Sequence, residues 1–115
     1  MNLTHKIAHY QTIICTLLTE YAAIKKSLIP SVKAQLLLDR VHQHYQSLSV
    51  GWHNGQSMCV VSFHFDLIDG KIWIQQNNID ALIADELVER GVAKEDIVLG
   101  FVPENVRVHS GYATA

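Results

Sequence analysis

The sequence has little to hold a chain together covalently and little to break it up. Two cysteines among 115 residues are too few for a disulfide framework. Cys15 sits in a helical pattern and Cys59 in a strand pattern, so both read as buried thiols in a reducing, cytoplasmic setting. Two prolines and six glycines exclude a collagen-like or low-complexity chain. Internal repeats are absent, which excludes solenoids and propellers. No apolar run approaches the roughly 20 residues of a membrane span. The apolar stretch after Lys6 is interrupted by His9, Gln11, Thr12 and Thr16 and runs on helically past Tyr21, which is not the pattern of a targeting segment. Basic charge is scarce as well. Nine Lys and Arg against eleven Asp and Glu give a formal net charge of −2 with the seven histidines neutral. Lys25-Lys26 is the only basic doublet, so the isolated chain lacks the stripe of cations that neutralises phosphates, and no specific DNA binding is expected of it.

What is present is apolar. Hydrophobic residues make up 49% and charged residues 17%, enough to bury one core without staples and too apolar for disorder. We read a single domain over residues 1–115. So sparsely charged a surface also leaves room for self-association into a homo-oligomer.

Leu3, Ile7, Tyr10, Ile14, Leu17, Tyr21 and Ile24 recur at spacings of four and three, a helical stripe that Ile13 and Leu18 widen. A stripe this broad suits a helix lying across a sheet better than a coiled-coil seam. Pro30 ends the connection that follows. Four alternating runs come next: Val32 to Asp39, Ser47 to Trp52, Cys59 to Leu67, and Lys71 to Gln75. Asn54-Gly55 and Asp69-Gly70 are dipeptides that fit two-residue hairpin turns, whose central residues both need positive φ. Those turns set a register. Val50 should face Cys59 and Leu48 should face Val61; Leu67 should face Ile72 and Phe65 should face Ile74. Both hairpins then place apolar residues on one face. The first helix should cover the face of Phe63, Phe65 and Ile74.

Helical periodicity returns with Ile79, Leu82, Ile83, Leu87 and Val88 opposite Asp85, Glu86 and Glu89. Asn78 or Asp80 can cap its start, and Gly91 suits the left-handed residue after its end. Lys94 to Asp96 should open a short helical turn into Ile97–Leu99, and Val106 with Val108 can form a short edge strand. The expected class is α+β: an N-terminal helix packed on an antiparallel β-meander of about four strands, followed by C-terminal helices.

The same register populates the other face of the sheet. It aligns Tyr45, His64 and Gln75 in one row, Ser47, Ser62 and Asn77 in the next, and sets Asp66 opposite Trp73. Hydroxyls, amides, a histidine, a carboxylate and two aromatics make a mixed surface, as a protein-binding face does. Tyr45, His64, Asp66, Trp73 and Gln75 are therefore the candidate partner-binding residues. The other reading is a face covered by the segment after Pro103. His64 and Asp66, two apart on one strand, can orient each other as an acid–base pair. Cys59 should point to the opposite side, so no nucleophile joins them. His42-x-His44 in one turn and His53 in another offer no recognised metal spacing. No phosphate-cradling glycine loop and no nucleophile elbow occur. We expect no enzyme, no cofactor and no metal.

Several segments carry a family resemblance: Leu18–Ala22 (LTEYA), His44–Gln46 (HYQ), Val50–Trp52 (VGW), His64–Asp66 (HFD), Asp69–Gln76 (DGKIWIQQ) and Glu86–Gly100 (ELVERGVAKEDIVLG). Together they resemble the XisI family from about the first helix to Phe101. The resemblance implies a controlling factor for excision of the fdxN element, a DNA segment removed during heterocyst differentiation in filamentous cyanobacteria. It implies an XisH-like protein partner, a separate site-specific recombinase that does the cutting, and no catalytic residue. Two stretches depart from the family pattern. An acidic Asp-Gly-Thr-Glu-like stretch is replaced by Asn77-Asn78-Ile79-Asp80, and paired prolines by Val102-Pro103-Glu104-Asn105. Two other functions compete with the accessory factor: a direct DNA-binding factor assisting the recombinase, and a small hydrolase or nuclease using His64 and Asp66.

Overall fold

The computed structural model describes residues 2–28, 30–78 and 82–115. Helix α1 spans Leu3–Leu28. The Asn2 side chain accepts the N–H of His5 at 2.9 Å and so caps its start. Its 26 residues rise about 39 Å, enough to lie along a whole strand. Tyr10, Ile13, Ile14, Leu17 and Leu18 are buried, whereas Leu3 and Ile24 at the ends are more than half exposed. The apolar stripe therefore outruns the core it covers.

Five strands follow: β1 (Val32–Asp39), β2 (His44–His53), β3 (Gln56–Ile68), β4 (Lys71–Asn77) and β5 (Ile97–Leu99). They lie side by side in chain order. The first four form the expected antiparallel meander. Strand β5 adds a parallel edge to β4, which is reached through helix α2 (Ile83–Glu89) and a 3₁₀ turn at Lys94–Asp96. The fold is α+β, with α1 and α2 sharing one hydrophobic core against the inner face of the sheet.

The two hairpin turns are as the dipeptides require. Asn54 and Gly55 have φ of 52° and 74°, and Asp69 and Gly70 have φ of 51° and 77°. Near the turns the register also agrees: Val50 faces Cys59, Leu48 faces Val61, Leu67 faces Ile72 and Phe65 faces Ile74. Phe63, Phe65 and Ile74 are fully buried in the core that α1 joins.

Between the turns, two bulges break the alternation. Ser47 faces Phe63 while Leu48 faces Val61, so Ser62 is an extra residue in β3. Phe65 faces Ile74 while His64 faces Gln76, so Gln75 is an extra residue in β4. An inserted residue exchanges the two faces of everything beyond it. Four expectations are corrected as a result. Tyr45 is fully buried in the core and is not on the outer face. Ser47 and Ser49 turn inward with it and are buried, whereas Leu48 and Val50 turn outward and Trp52 is exposed. The expected row of Tyr45, His64 and Gln75 does not form, since Tyr45 pairs with Phe65. Cys59, paired with the outward Val50, lies on the outer face and is exposed; only Cys15 is a buried thiol.

The C-terminal third brings further corrections. Ile83 and Leu87 of α2 are buried, but Leu82 is exposed. Asn78 does not cap this helix. Its N–H bonds the Ser62 carbonyl at 2.9 Å and its amide the Val61 carbonyl at 2.8 Å, so it prolongs the strand pairing beside the first bulge. Ile79 and Asp80 lie outside the described residues. Gly91 has the expected positive φ of 107°. In place of an edge strand, Val106 belongs to a short helix α3 (Glu104–Arg107) and Val108 follows its end, because the Pro103 carbonyl accepts the N–H groups of Val106 and Arg107 at 2.9 and 3.1 Å. Arg107 then ties the tail together, bonding the carbonyls of Leu99, Val102 and Thr114 at 2.9 to 3.1 Å. No helix among the described residues is long and apolar enough to cross a membrane.

Candidate functional site

The outer face of β2 and β3 carries the one cluster among the described residues whose histidine and carboxylate side chains can converge on a metal ion. Strand pairing sets His44 directly opposite Asp66, and alternation along β3 puts His64 on the same side. Both imidazoles meet one oxygen. His44 Nδ1 and His64 Nε2 each lie 2.7 Å from Asp66 Oδ1. The amide of Gln75 donates to Asp66 Oδ2 at 3.1 Å. Gln46 Nε2 stands 2.7 Å from His64 Nδ1. The consistent proton assignment has His64 donating from Nε2 to the carboxylate and accepting from Gln46 at Nδ1, with His44 donating from Nδ1.

Asp66 is a mostly buried anion. Its side chain keeps 15% of its exposure, against 20% for His64 and 57% for His44. Burial pushes its carboxyl up, but hydrogen bonds from His44, His64 and Gln75 outweigh that and hold it below the usual carboxylate range. It stays ionised at neutral pH, as a metal ligand or an orienting base must be.

The cluster floors an open cleft of about 570 Å³ bounded on the β1 side by Leu37, Leu38 and Asp39. Leu37 is half exposed there. Asp39 is committed to its own turn, accepting the N–H groups of Val41 and His42 at 3.0 and 2.9 Å and pairing with the His42 ring at 2.8 Å. No lining residue of the cleft is a serine, threonine, cysteine or lysine. The arrangement can hold a cation, orient a proton donor or receive a polar group. It has no hydroxyl, thiol or amine of its own to attack a substrate covalently.

Of the residues picked out from the sequence, His64, Asp66 and Gln75 come together. Trp73 is paired with Asp66 but lies under the tail: the Arg107 guanidinium sits 5.1 Å from its ring centroid. Tyr45 is beneath the sheet, its hydroxyl donating to Gln43 at 2.7 Å. The sequence places His44 in a His42-x-His44 turn without recognised metal spacing, whereas it opens β2; Gln46 is not among the residues picked out. The turn register sets Tyr45 outside, and the Ser62 bulge is what brings its two neighbours there instead.

The model of the family described as XisI protein matches residues 4–114. Two solved structures, both from Anabaena variabilis ATCC 29413, are similar over nearly the whole length of both chains. A XisI-like protein is 41% identical with a TM-score of 0.87, covering 95% of this chain and 99% of that one. The fdxN element excision controlling factor XisI is 28% identical with a TM-score of 0.82, covering 96% and 99%. No curated protein matches.

Proposed function

Because this chain belongs to the XisI family, we propose that it is a non-enzymatic controlling factor for excision of a DNA element such as the fdxN element, acting in the cytoplasm by binding an XisH-like protein. The observation that carries this reading is the likeness over 96% of the chain to a protein described as an fdxN element excision controlling factor. The physical chemistry of the outer face supports binding over chemistry. Leu37 is exposed there beside the polar cluster, giving an apolar anchor within a polar rim. The cleft offers no hydroxyl, thiol or amine nucleophile, and a chain of net charge −2 has little to hold a phosphate backbone.

The test is a titration of the purified chain with a purified XisH-like protein. A stable complex is expected, and Leu37→Asp should weaken it at least about tenfold, as the loss of a buried apolar anchor does, with an unchanged melting temperature. Absence of a complex at tens of micromolar, with both proteins folded, overturns the reading. Retention of a specific duplex by the chain alone, weakening steeply with salt, turns the assignment to a DNA-binding factor instead.

A further inference from the structure

We propose that His44, His64 and Asp66 form a binding site for a divalent transition-metal ion of the zinc class. The inference is independent of the partner reading. Their ligand atoms, one from each residue, all lie within 4.8 Å of one another. They come from two hydrogen-bonded strands, with His44 paired to Asp66 and His64 two positions before Asp66, so the backbone holds them in place without help from a loop.

The donor set selects the ion. Two imidazoles and one carboxylate are too nitrogen-rich for calcium or magnesium, which take oxygen, and contain no thiolate for a soft ion. They suit Zn²⁺, with Co²⁺ as its spectroscopic substitute. Bonds of about 2.1 Å at tetrahedral angles put ligand atoms about 3.4 Å apart. The two contacts to Asp66 Oδ1, each 2.7 Å, must therefore open by roughly 0.7 Å, while the two imidazole nitrogens draw together. His44, the most exposed of the three, can swing to do this.

The surroundings match what ligating side chains need. A metal on His64 Nε2 moves the ring proton to Nδ1, where Gln46 stands at 2.7 Å; turning that amide presents its carbonyl oxygen as acceptor. The ring proton of His44 moves to Nε2, so no net proton is released from neutral imidazoles. Gln75 continues to hold Asp66 Oδ2. The remaining coordination positions open toward the cleft, where water or a donor from a bound protein can complete the shell.

The experiment uses the full, untagged chain with Co²⁺ followed by displacement with Zn²⁺, read by visible absorption and calorimetry. One Co²⁺ per chain, with bands that Zn²⁺ abolishes, is the expected result. His64→Ala and Asp66→Asn should each weaken binding by about 100-fold or more, as loss of one ligand in three does, and His53→Ala on the hairpin tip should not change it. His44→Ala guards against misfolding, because that side chain is largely exposed; it too should lose the site with an unchanged circular dichroism spectrum. No bands at millimolar Co²⁺, or bands that survive His44→Ala and His64→Ala alike, would overturn the proposal as adventitious surface binding.

Discussion

Arg107 stacks on Trp73, its guanidinium 5.1 Å from the ring centroid, and thereby makes the chain's own tail the cover of that part of the outer face. Trp73→Ala should therefore act on folding. It removes a half-buried ring and a cation–π contact, a loss of about 2 kcal/mol, or roughly 8 °C in melting temperature for a domain of this size. Arg107→Met keeps the stem but frees three carbonyls, and should loosen residues 108–115 as read by hydrogen exchange. Sedimentation should be unchanged in both. A Trp73→Ala variant with normal melting and weakened association would place the ring in an interface instead.

Asp96 binds α1 to the far end of the chain. Although buried, it accepts the Tyr10 hydroxyl at 2.6 Å and Lys6 Nζ at 2.8 Å. Removing it by Asp96→Ala strips the buried hydroxyl and the ammonium of their shared acceptor. We expect a loss of about 3 kcal/mol by urea unfolding. Lys6→Ala, at the more exposed partner, should cost less than about 1 kcal/mol.

Alkaline pH should unfold the domain through its tyrosines. Burial and the hydrogen bond to Asp96 push the Tyr10 hydroxyl up to about 12. Burial and Glu86 push Tyr21 to about 12 as well. In the unfolded chain both titrate near 10. A raised folded value means the native state keeps protons that the unfolded state has lost, so this stabilisation is complete below about pH 10 and is lost as pH rises toward about 12. Urea midpoints measured across that window should fall, and Tyr10→Phe should flatten the fall. An equal slope in the variant would show that Tyr10 is not the group responsible.

Two glycines should respond very differently to alanine. At Gly51, φ is 151° and a Cβ would stand 2.1 Å from the Ser31 carbonyl oxygen, which also accepts the N–H of Trp52. Backbone must move to admit it, and Gly51→Ala should cost about 3 kcal/mol or more. At Gly55 nothing lies within 4 Å. Only the positive φ of the turn opposes Gly55→Ala, at about 1 kcal/mol. Thermal melts of the two variants side by side decide this.

What could be read in the sequence was what is local and periodic. The stripe from Tyr10 to Leu18 marks α1 because its spacing is that of a helix, and the Asn54-Gly55 and Asp69-Gly70 turns align the strands on either side of them because few dipeptides accept two positive φ values. Alignment failed where an ordinary residue, Ser62 or Gln75, is inserted into a ladder with no glycine or proline to mark it. That single kind of event hid Tyr45 in the core and kept His44 and Gln46 out of the candidate site. Strand β5, at three residues, is too short for any period. It is recruited by β4 and by α2 returning the chain, which is a tertiary effect. His64 and Asp66 were found together because they are two apart on β3 with no residue inserted between them, and the Asp69-Gly70 register sets Asp66 opposite Trp73. Gln75 is the inserted residue itself and still reaches Asp66.

The bulge at Ser62 also bears on heredity. Most positions in a strand tolerate exchange of one side chain for another of similar size. Loss of the codon for Ser62 would turn no side chain over. Val61, which faces outward with Leu48, and Phe63, which faces inward with Ser47, would become neighbours in strict alternation with their present partners. Loss of a codon between Phe63 and Leu67 would instead carry part of the inward set to the outer face. Lineages that descend with this domain should thus differ in length at position 62 before they do so anywhere else in the strand.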